Sequence, residues 1–259
     1  MIIDTHTHLD DKRYIDDLDE VIKRANDGGV KGFIIPGADI DDLQRAKEIS
    51  HRYENVFYAA GVHPYNLEGY DEEILKNYLK DERCVAVGEC GLDYFRLPEN
   101  EDEKLAVKKN QQEIFINQIK LAKELKKPII VHIRDANDDS RKILEEYNAG
   151  EFGGVLHCYN ASKHLLPLSE KGFYFGIGGV LTFKNAKNLV EILPDIPKEK
   201  LLIETDSPYL TPTPHRGERN EPFYTTFVAK KMSEILGLSL SEIKEKTSKN
   251  AKALFGLNL

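Results

Sequence analysis

The sequence predicts an α/β protein with a TIM-type (β/α)8 barrel fold, in which residues 1–259 form a single domain. The first observation is an alternation of short β-branched runs and longer segments with helical periodicity along the whole chain. The second is the number of these units, since eight of them in about 250 residues is typical of a closed barrel. The third is that no GxGxxG or GxxxxGKS/T motif follows a strand, which disfavours a doubly wound nucleotide-binding sheet, the main alternative.

The predicted strands are almost continuously apolar, as expected for parallel strands whose two faces are both buried. They span residues 1–7, 32–36, 56–62, 85–89, 129–134, 155–157, 173–177 and 201–205. The clearest helix lies between the fourth and fifth strands, where one apolar stripe contains Ile114, Phe115, Ile119, Leu121, Ala122 and Leu125. The proline-rich stretch 208–222 is predicted to be a long loop, and Ser239 and Glu242 have the spacing of a capping box that opens the last helix.

Composition and charge favour a cytoplasmic globular protein. Charged residues make up 31% of the chain, and no apolar run approaches the roughly 18 residues that span a membrane. The N-terminal residues lack the basic and apolar stretches of a secretory signal, and the 3 cysteines have no disulfide or zinc-knuckle pattern. A net charge of −8 disfavours a broad basic surface for nucleic acid, but it leaves room for one local cationic cleft. No obligate protein partner is evident.

Histidines and isolated carboxylates follow the predicted strands at the end where barrel enzymes place their chemistry. Only His51, His164 and His215 among the 8 histidines fall elsewhere. The residues at strand ends are His6, His8, His63, Glu89, His132, His157, Glu204 and Asp206. Because the carboxyl ends of all strands meet at one mouth of a barrel, we expect these side chains to lie close together.

The His6-x-His8 pair has the spacing of two metal ligands. Residues two apart on a strand point to the same face, with backbone positions roughly 6.6 Å apart. Two imidazoles at that separation can converge on one ion about 2.1 Å from each nitrogen. The alternative is a chance pair of polar side chains on an edge strand. The nearby Asp4 and the other strand-end residues favour the metal site.

Glu89 ends the apolar run CVAVGE, so its carboxylate is predicted to be buried. A buried carboxylate must be protonated, paired or bound to metal, because a bare one costs several kcal/mol. An ion pair with Arg134 is the alternative to a metal. A lone His132 or His157 would be read as a core residue, but two histidines beside Glu89 in one mouth favour metal ligands.

Glu204 and Asp206 form a second pair of residues that share one strand face. One carboxylate can bind a metal while the other orients or deprotonates a water molecule, so both are predicted to be catalytic. Glu204 lies deeper in the barrel, so its carboxylate is expected to reach either the attacking water or a ligand histidine. Helix capping is the alternative for Asp206. Cys90 and Cys158 adjoin these candidates on the opposite face and are interpreted as small packing residues.

Taken together, the motifs of the chain resemble the TatD family of metal-dependent deoxyribonucleases. They are DTHTHLD, GVHPY, VGECGLDY, PIIVHIRDA, LHCY, IETDSPYL and HRGERNEP, and the resemblance runs from residue 2 to about residue 255. It implies an amidohydrolase-like barrel with two metal ions. By the same resemblance, His6, His8 and Asp206 would hold one ion, His132 and His157 the other, and Glu89 would bridge them. Related barrels that use a carboxylated lysine as the bridge would need Lys where this chain has Glu89.

The resemblance also implies the activity, a hydrolase of ester bonds that trims single-stranded DNA from its 3′ end. The cofactors are expected to be two divalent ions, Mg²⁺ or Mn²⁺, with Zn²⁺ left open. His63, Arg134 and Arg219 are placed to bind phosphate oxygens of the substrate. Four loop tyrosines could stack on bases or simply cover the barrel, namely Tyr65, Tyr94, Tyr159 and Tyr209.

Two other functions stay open at this point. One keeps the two-metal site but changes the substrate to a small amide, lactone or ester, or to D-aminoacyl-tRNA. The other is a metal-stabilised scaffold that binds nucleic acid without cutting it. Glu204 speaks against the scaffold, because a purely structural metal site has no need of an extra acidic residue.

Overall fold

A computed structural model describes residues 1–259 and contains one sheet of eight parallel strands, in the order β1 to β8. The strands are β1 Ile2–Asp4, β2 Val30–Ile35, β3 Val56–Ala60, β4 Cys84–Asp93, β5 Ile129–Arg134, β6 Gly154–Leu156, β7 Phe173–Ile177 and β8 Leu201–Ile203. Each strand pairs in parallel with the next one along the chain. The predicted fold class and all eight predicted strands are confirmed, with small shifts at their ends.

Hydrogen bonds join the two edge strands, so the sheet closes into a barrel. The Thr5 N–H donates to the Ile203 carbonyl at 3.1 Å, and the Asp206 N–H donates to the His6 carbonyl at 2.9 Å. A further parallel bridge links Thr7 and Ser207. The closing contacts therefore bring the segment with the first histidines against the segment with Asp206.

Eight helices surround the barrel. They are α1 Leu18–Asp27, α2 Leu43–Arg52, α3 Glu72–Leu79, α4 Glu101–Glu124, α5 Asn137–Glu146, α6 Lys187–Ile192, α7 Thr225–Leu236 and α8 Leu240–Phe255. The connection from β6 to β7 holds a 3-10 helix, Lys163–Lys171, instead of an α-helix. Pro167 lies inside this segment, and a proline cannot donate the backbone hydrogen bond that an α-helix needs there. The capping box predicted at Ser239 is present.

Strand β4 runs 4 residues beyond its predicted end and contains a register shift between Val87 and Cys90. A bulge of this kind re-aims a side chain, and here the displaced residue is Glu89. Gly88 permits the bulge, because its φ is +130° and a Cβ atom would lie 2.5 Å from the Ile130 carbonyl oxygen. The backbone at this point is thus shaped to place one carboxylate.

The core has two parts. A cluster of 52 buried residues includes the side chains packed between the barrel and its helices. A second cluster of 12 joins residues of seven strands, such as Ile34 and Leu202, to the end of α8 and to Leu257. The C-terminal residues thus pack against the strands away from the histidine mouth. None of the helices combines the length and the apolarity that crossing a membrane requires.

Candidate metal centre

The carboxyl ends of the strands bring six predicted metal ligands together at one mouth of the barrel. His6 and His8 follow β1, Glu89 lies in the bulge of β4, and His132 is on β5. The last two ligands follow β6 and β8, and they are His157 and Asp206. The rings of His6 and His157 stack with their centroids 3.4 Å apart. Residues 151 positions apart in the sequence therefore share one site.

Glu89 lies at the centre of this group, and its two oxygens face different histidines. Its Oε2 atom is 3.2 Å from His6 Nε2. Its Oε1 atom is 2.9 Å from His132 Nδ1 and 3.9 Å from His157 Nε2. The Glu89 side chain is only 4% exposed, so these contacts replace water around a buried charge.

Asp206 forms the second anionic part of the group. Its Oδ1 atom lies 3.4 Å from His8 Nε2, 3.8 Å from His6 Nε2 and 4.0 Å from His157 Nε2. Its side chain is 17% exposed, more than that of Glu89. Asp206 therefore faces the cluster on one side and the barrel mouth on the other.

The donor atoms have the spacing expected around metal ions. Two ligands that each lie about 2.1 Å from one ion are roughly 3–4 Å apart, and His6, His8 and Asp206 offer atoms within 4.8 Å of one another. His6, Glu89 and His157 form a second such group. Both ring nitrogens of His6 are buried without a hydrogen-bond partner, although buried polar atoms are normally satisfied. A divalent cation would supply the missing partner at Nε2, so these residues fit a metal.

The electrostatics keep the two carboxylates ionised. Burial acts to raise the pKa of Glu89, but the charges of His157 and His6 outweigh it and hold that pKa well below its ordinary value. Burial also acts to raise the pKa of Asp206, but its contacts with histidines, His8 above all, outweigh this effect and lower that pKa. Without a metal, the same contact stabilises the protonated form of the histidine. Burial lowers the pKa of His8, but Asp206 outweighs burial and raises that pKa to about 9. The site therefore presents anions ready for a cation.

Glu204 lies behind the cluster and contacts a histidine. Its side chain is 1% exposed, and its Oε1 atom is 3.0 Å from His157 Nδ1. The same oxygen accepts the Cys158 backbone N–H at 2.7 Å. Glu204 thus holds the ring nitrogen of His157 that points away from Glu89. Of the two roles predicted for it, contact with a ligand histidine matches this position better than contact with a water molecule.

Asp93 plays the corresponding part for His132, and the sequence reasoning missed it. Its Oδ2 atom is 2.9 Å from His132 Nε2, while its Oδ1 atom accepts the Phe95 N–H at 2.9 Å. Gln111 from α4 holds the backbone on both sides, since it accepts the Asp93 N–H and donates to the Asp93 carbonyl. Asp93 is the second-last residue of the motif VGECGLDY, and the argument used for Glu89 could have found it.

The other predicted residues fall into two groups. His63 joins the cluster, with Nε2 3.7 Å from Glu89 Oε1. Arg134 lines the cavity beside the cluster, where its guanidinium lies over the Phe95 ring at 3.6 Å. Arg219 instead pairs with Asp17 at the barrel rim, with nitrogen to oxygen distances of 2.8 and 2.5 Å. Its charge is thereby balanced within the protein.

The four loop tyrosines also differ in availability. Tyr65 and Tyr209 are 41% and 50% exposed, so their rings are open to a ligand. Tyr159 is buried, and its hydroxyl donates to the Ser162 carbonyl. Tyr94 is partly buried, and its hydroxyl donates to Asp139. Covering the barrel is therefore the role of these last two.

The fold and the site together define a (β/α)8-barrel protein with a histidine and carboxylate cluster at its C-terminal mouth. The chain belongs to the TatD-related DNase family, whose model matches residues 3–256. The family predicted from the motifs is thus confirmed.

Relatives of known name cover the whole chain. An uncharacterized metal-dependent hydrolase, YabD of Bacillus subtilis, is 42% identical over 100% of both chains. The 3′-5′ ssDNA/RNA exonuclease TatD of Shigella flexneri is 33% identical over 99% of both chains. The crystal structure of YjjV, a TatD homologue from Escherichia coli, superposes with a TM-score of 0.90 at 28% identity and covers 99% of this chain and 98% of its own.

Proposed function

We propose that this protein is a metal-dependent hydrolase that cleaves phosphodiester bonds and removes nucleotides from the 3′ end of single-stranded DNA. The observation that carries the proposal is the position of Glu89, whose two oxygens face His6 on one side and His132 on the other. A carboxylate that bridges two divalent ions needs this arrangement. Membership of the TatD-related DNase family and a relative named as a 3′-5′ exonuclease support the substrate class.

In this proposal each half of the cluster holds one ion. His6, His8 and Asp206 would bind one ion, His132 and His157 the other, and Glu89 would contact both. When bound, two divalent ions lower the pKa of water and stabilise negative charge on phosphate oxygens. Mg²⁺ and Mn²⁺ are the ions we expect, because carboxylate-containing sites for phosphoryl transfer commonly use them, and Zn²⁺ is the alternative that imidazole ligands favour.

The side chains around the ions divide the remaining tasks. Asp206 has a partly exposed carboxylate with a lowered pKa, so it is ionised and can accept a proton from water. Burial lowers the pKa of His63 to about 4, so this ring is neutral. His63 Nδ1 accepts the Tyr65 N–H at 3.2 Å, which leaves the proton on Nε2. That N–H can donate to a phosphate oxygen beside Glu89.

The test is a panel of substrates offered to protein purified without added metal. Single-stranded oligonucleotides labelled at the 3′ or the 5′ end, a model lactone and a D-aminoacyl-tRNA are each incubated with EDTA, Mg²⁺, Mn²⁺ or Zn²⁺. We expect stepwise loss of nucleotides from the 3′ end that requires a divalent ion. Glu89→Gln should abolish this activity, whereas Glu146→Gln on the exposed face of α5 should leave it unchanged.

Two outcomes would overturn the proposal. Cleavage of the lactone or the tRNA with intact DNA would assign the same site to the alternative substrates. Wild-type activity in Glu89→Gln would show that the nuclease does not depend on the cluster.

A further inference from the structure

A cavity of about 500 Å³ opens directly onto the metal centre. His132, His157 and Asp206 line it, so a molecule bound in it lies beside the cluster. The rest of its wall comes from the ends of β5 and β6, the loop after β8 and the start of α6. Its volume lies within the range of about 300–1,000 Å³ that sites for single small molecules occupy. The cavity is therefore of the size for one nucleotide residue beside the reacting phosphate.

The wall is mostly neutral and apolar. Its apolar side chains include Ile133, Val180, Leu189 and Leu210. Apart from the cluster histidines, Arg134 is the only basic residue that lines the cavity, and it lies at the end of β5. A second phosphate would find few counter-charges here, whereas the flat face of a base packs well on apolar side chains. The chemistry favours the neutral part of a nucleotide.

Two amides supply the polar contacts. Asn185, in the turn before α6, and Asn188, in its first turn, line the cavity and are exposed. Neither side chain hydrogen-bonds to another residue, whereas Asn160 in the same wall donates to Asn137 Oδ1 at 2.8 Å. An amide offers a donor and an acceptor side by side, which matches the edge of a base. These two residues are free to bind a ligand.

We propose that this cavity receives the base and sugar of the 3′-terminal nucleotide, with Asn185 and Asn188 contacting the base edge. The inference rests on the proposed nuclease function and adds a base-recognition site to it. Because an amide can turn its oxygen or its nitrogen toward the base, the site favours nucleotides over other phosphate esters without demanding one base.

Binding by calorimetry tests this proposal independently of catalysis. Wild-type protein with Mg²⁺ is titrated with deoxyadenosine 5′-monophosphate and with deoxyribose 5-phosphate, which lacks the base. We expect the nucleotide to bind roughly tenfold more tightly or better, since a stacked base and two hydrogen bonds are gained. In Asn185→Ala/Asn188→Ala the nucleotide should lose about tenfold in affinity while the sugar phosphate changes little.

A matched control is Asn77→Ala, which removes an exposed amide from α3 on the outside of the barrel. In enzyme assays the double variant should lower kcat/KM for the oligonucleotide relative to kcat/KM for bis(p-nitrophenyl) phosphate, which has no base, and the control should not change this ratio. Equal affinity for nucleotide and sugar phosphate, or wild-type nucleotide binding in the double variant, would overturn the cavity assignment. Base-dependent binding without any DNA cleavage would instead overturn the nuclease function and leave the cavity assignment standing.

Discussion

Replacement of Glu204 distinguishes a residue that positions a ligand from a residue that takes a proton. Its carboxylate is 1% exposed and contacts His157 Nδ1 at 3.0 Å, so it would act through the histidine on the ion proposed there. Loss of such an outer partner typically weakens metal binding about 10–100-fold. Glu204→Gln keeps an oxygen for the Cys158 N–H and removes only the charge, so we expect about tenfold weaker binding at the His132 and His157 ion, or about 1.4 kcal/mol.

The assay is a calorimetric titration of metal-depleted protein with Mn²⁺, followed by oligonucleotide hydrolysis at saturating metal. Glu204→Ala should fall nearer the hundredfold end, because it also leaves the Cys158 N–H without its acceptor and removes every oxygen from beside His157 Nδ1. Glu199→Gln, exposed at the other end of β8, is the matched control and should bind metal like the wild type. A general base behaves differently, since its loss lowers the rate about 10²–10⁴-fold with metal affinity unchanged. That second pattern in Glu204→Gln would refute the positioning role.

Four further outcomes follow from the cluster. Glu89→Gln should weaken both ions, and two full-occupancy ions in that variant, measured by metal analysis, would show that the bridge is wrongly assigned. Asp206→Asn should lose affinity for one ion and regain part of its activity at high Mn²⁺, as rates across a Mn²⁺ series will reveal. Asp93→Asn should weaken the other ion about 10–100-fold in the same titration, with kcat recovering at saturating metal. Without metal, contacts with carboxylates raise the pKa of His8 to about 9 and that of His157 to about 10 against the effect of burial, so both are protonated at pH 7. Metal binding must then release protons, and metal affinity must rise as the pH rises toward 9. Calorimetry in buffers of different ionisation enthalpy measures this release, and finding none would contradict the prediction.

The strands could be predicted because a parallel barrel strand carries its signal locally. Runs such as 129–134 and 173–177 are apolar on both faces and match β5 and β7 at both ends. The 3-10 helix between β6 and β7 follows from Pro167, which is visible in the sequence, but the length of that helix depends on packing against the barrel. The local sequence pattern thus predicts the strands more accurately than it predicts the connections between them.

The grouping of the six candidate ligands could be predicted for a different reason, since strand order alone brings the carboxyl ends together. The partners behind them were harder to predict, because they depend on side-chain direction. Glu204 had two possible contacts, and Asp93 lies beyond the predicted end of its strand. Asp93 reaches His132 only because the bulge at Gly88 and Glu89 shifts the register of β4 against β5. Alternate counting from Glu89 does reach Asp93, but the sequence places the end of the strand at Glu89 and does not show that β4 continues to Asp93. Arg219 likewise has the charge of a phosphate ligand, but its pairing with Asp17 appears only in three dimensions.

The two histidines assigned to one ion are each fixed by a carboxylate on the far side of the ring. Asp93 contacts His132 at Nε2 and directs Nδ1 to Glu89, whereas Glu204 contacts His157 at Nδ1 and directs Nε2 to Glu89. Opposite ring atoms thus face the same oxygen, and a buried acid orients each ring and can keep the proton on the nitrogen beside it when the other nitrogen loses its own. His6 has no such carboxylate on the far side of its ring, where Nδ1 is buried without a hydrogen-bond partner. Buried acids outside the cluster therefore hold His132 and His157, whereas His6 is held within the cluster by its contact with Glu89 and by stacking on His157.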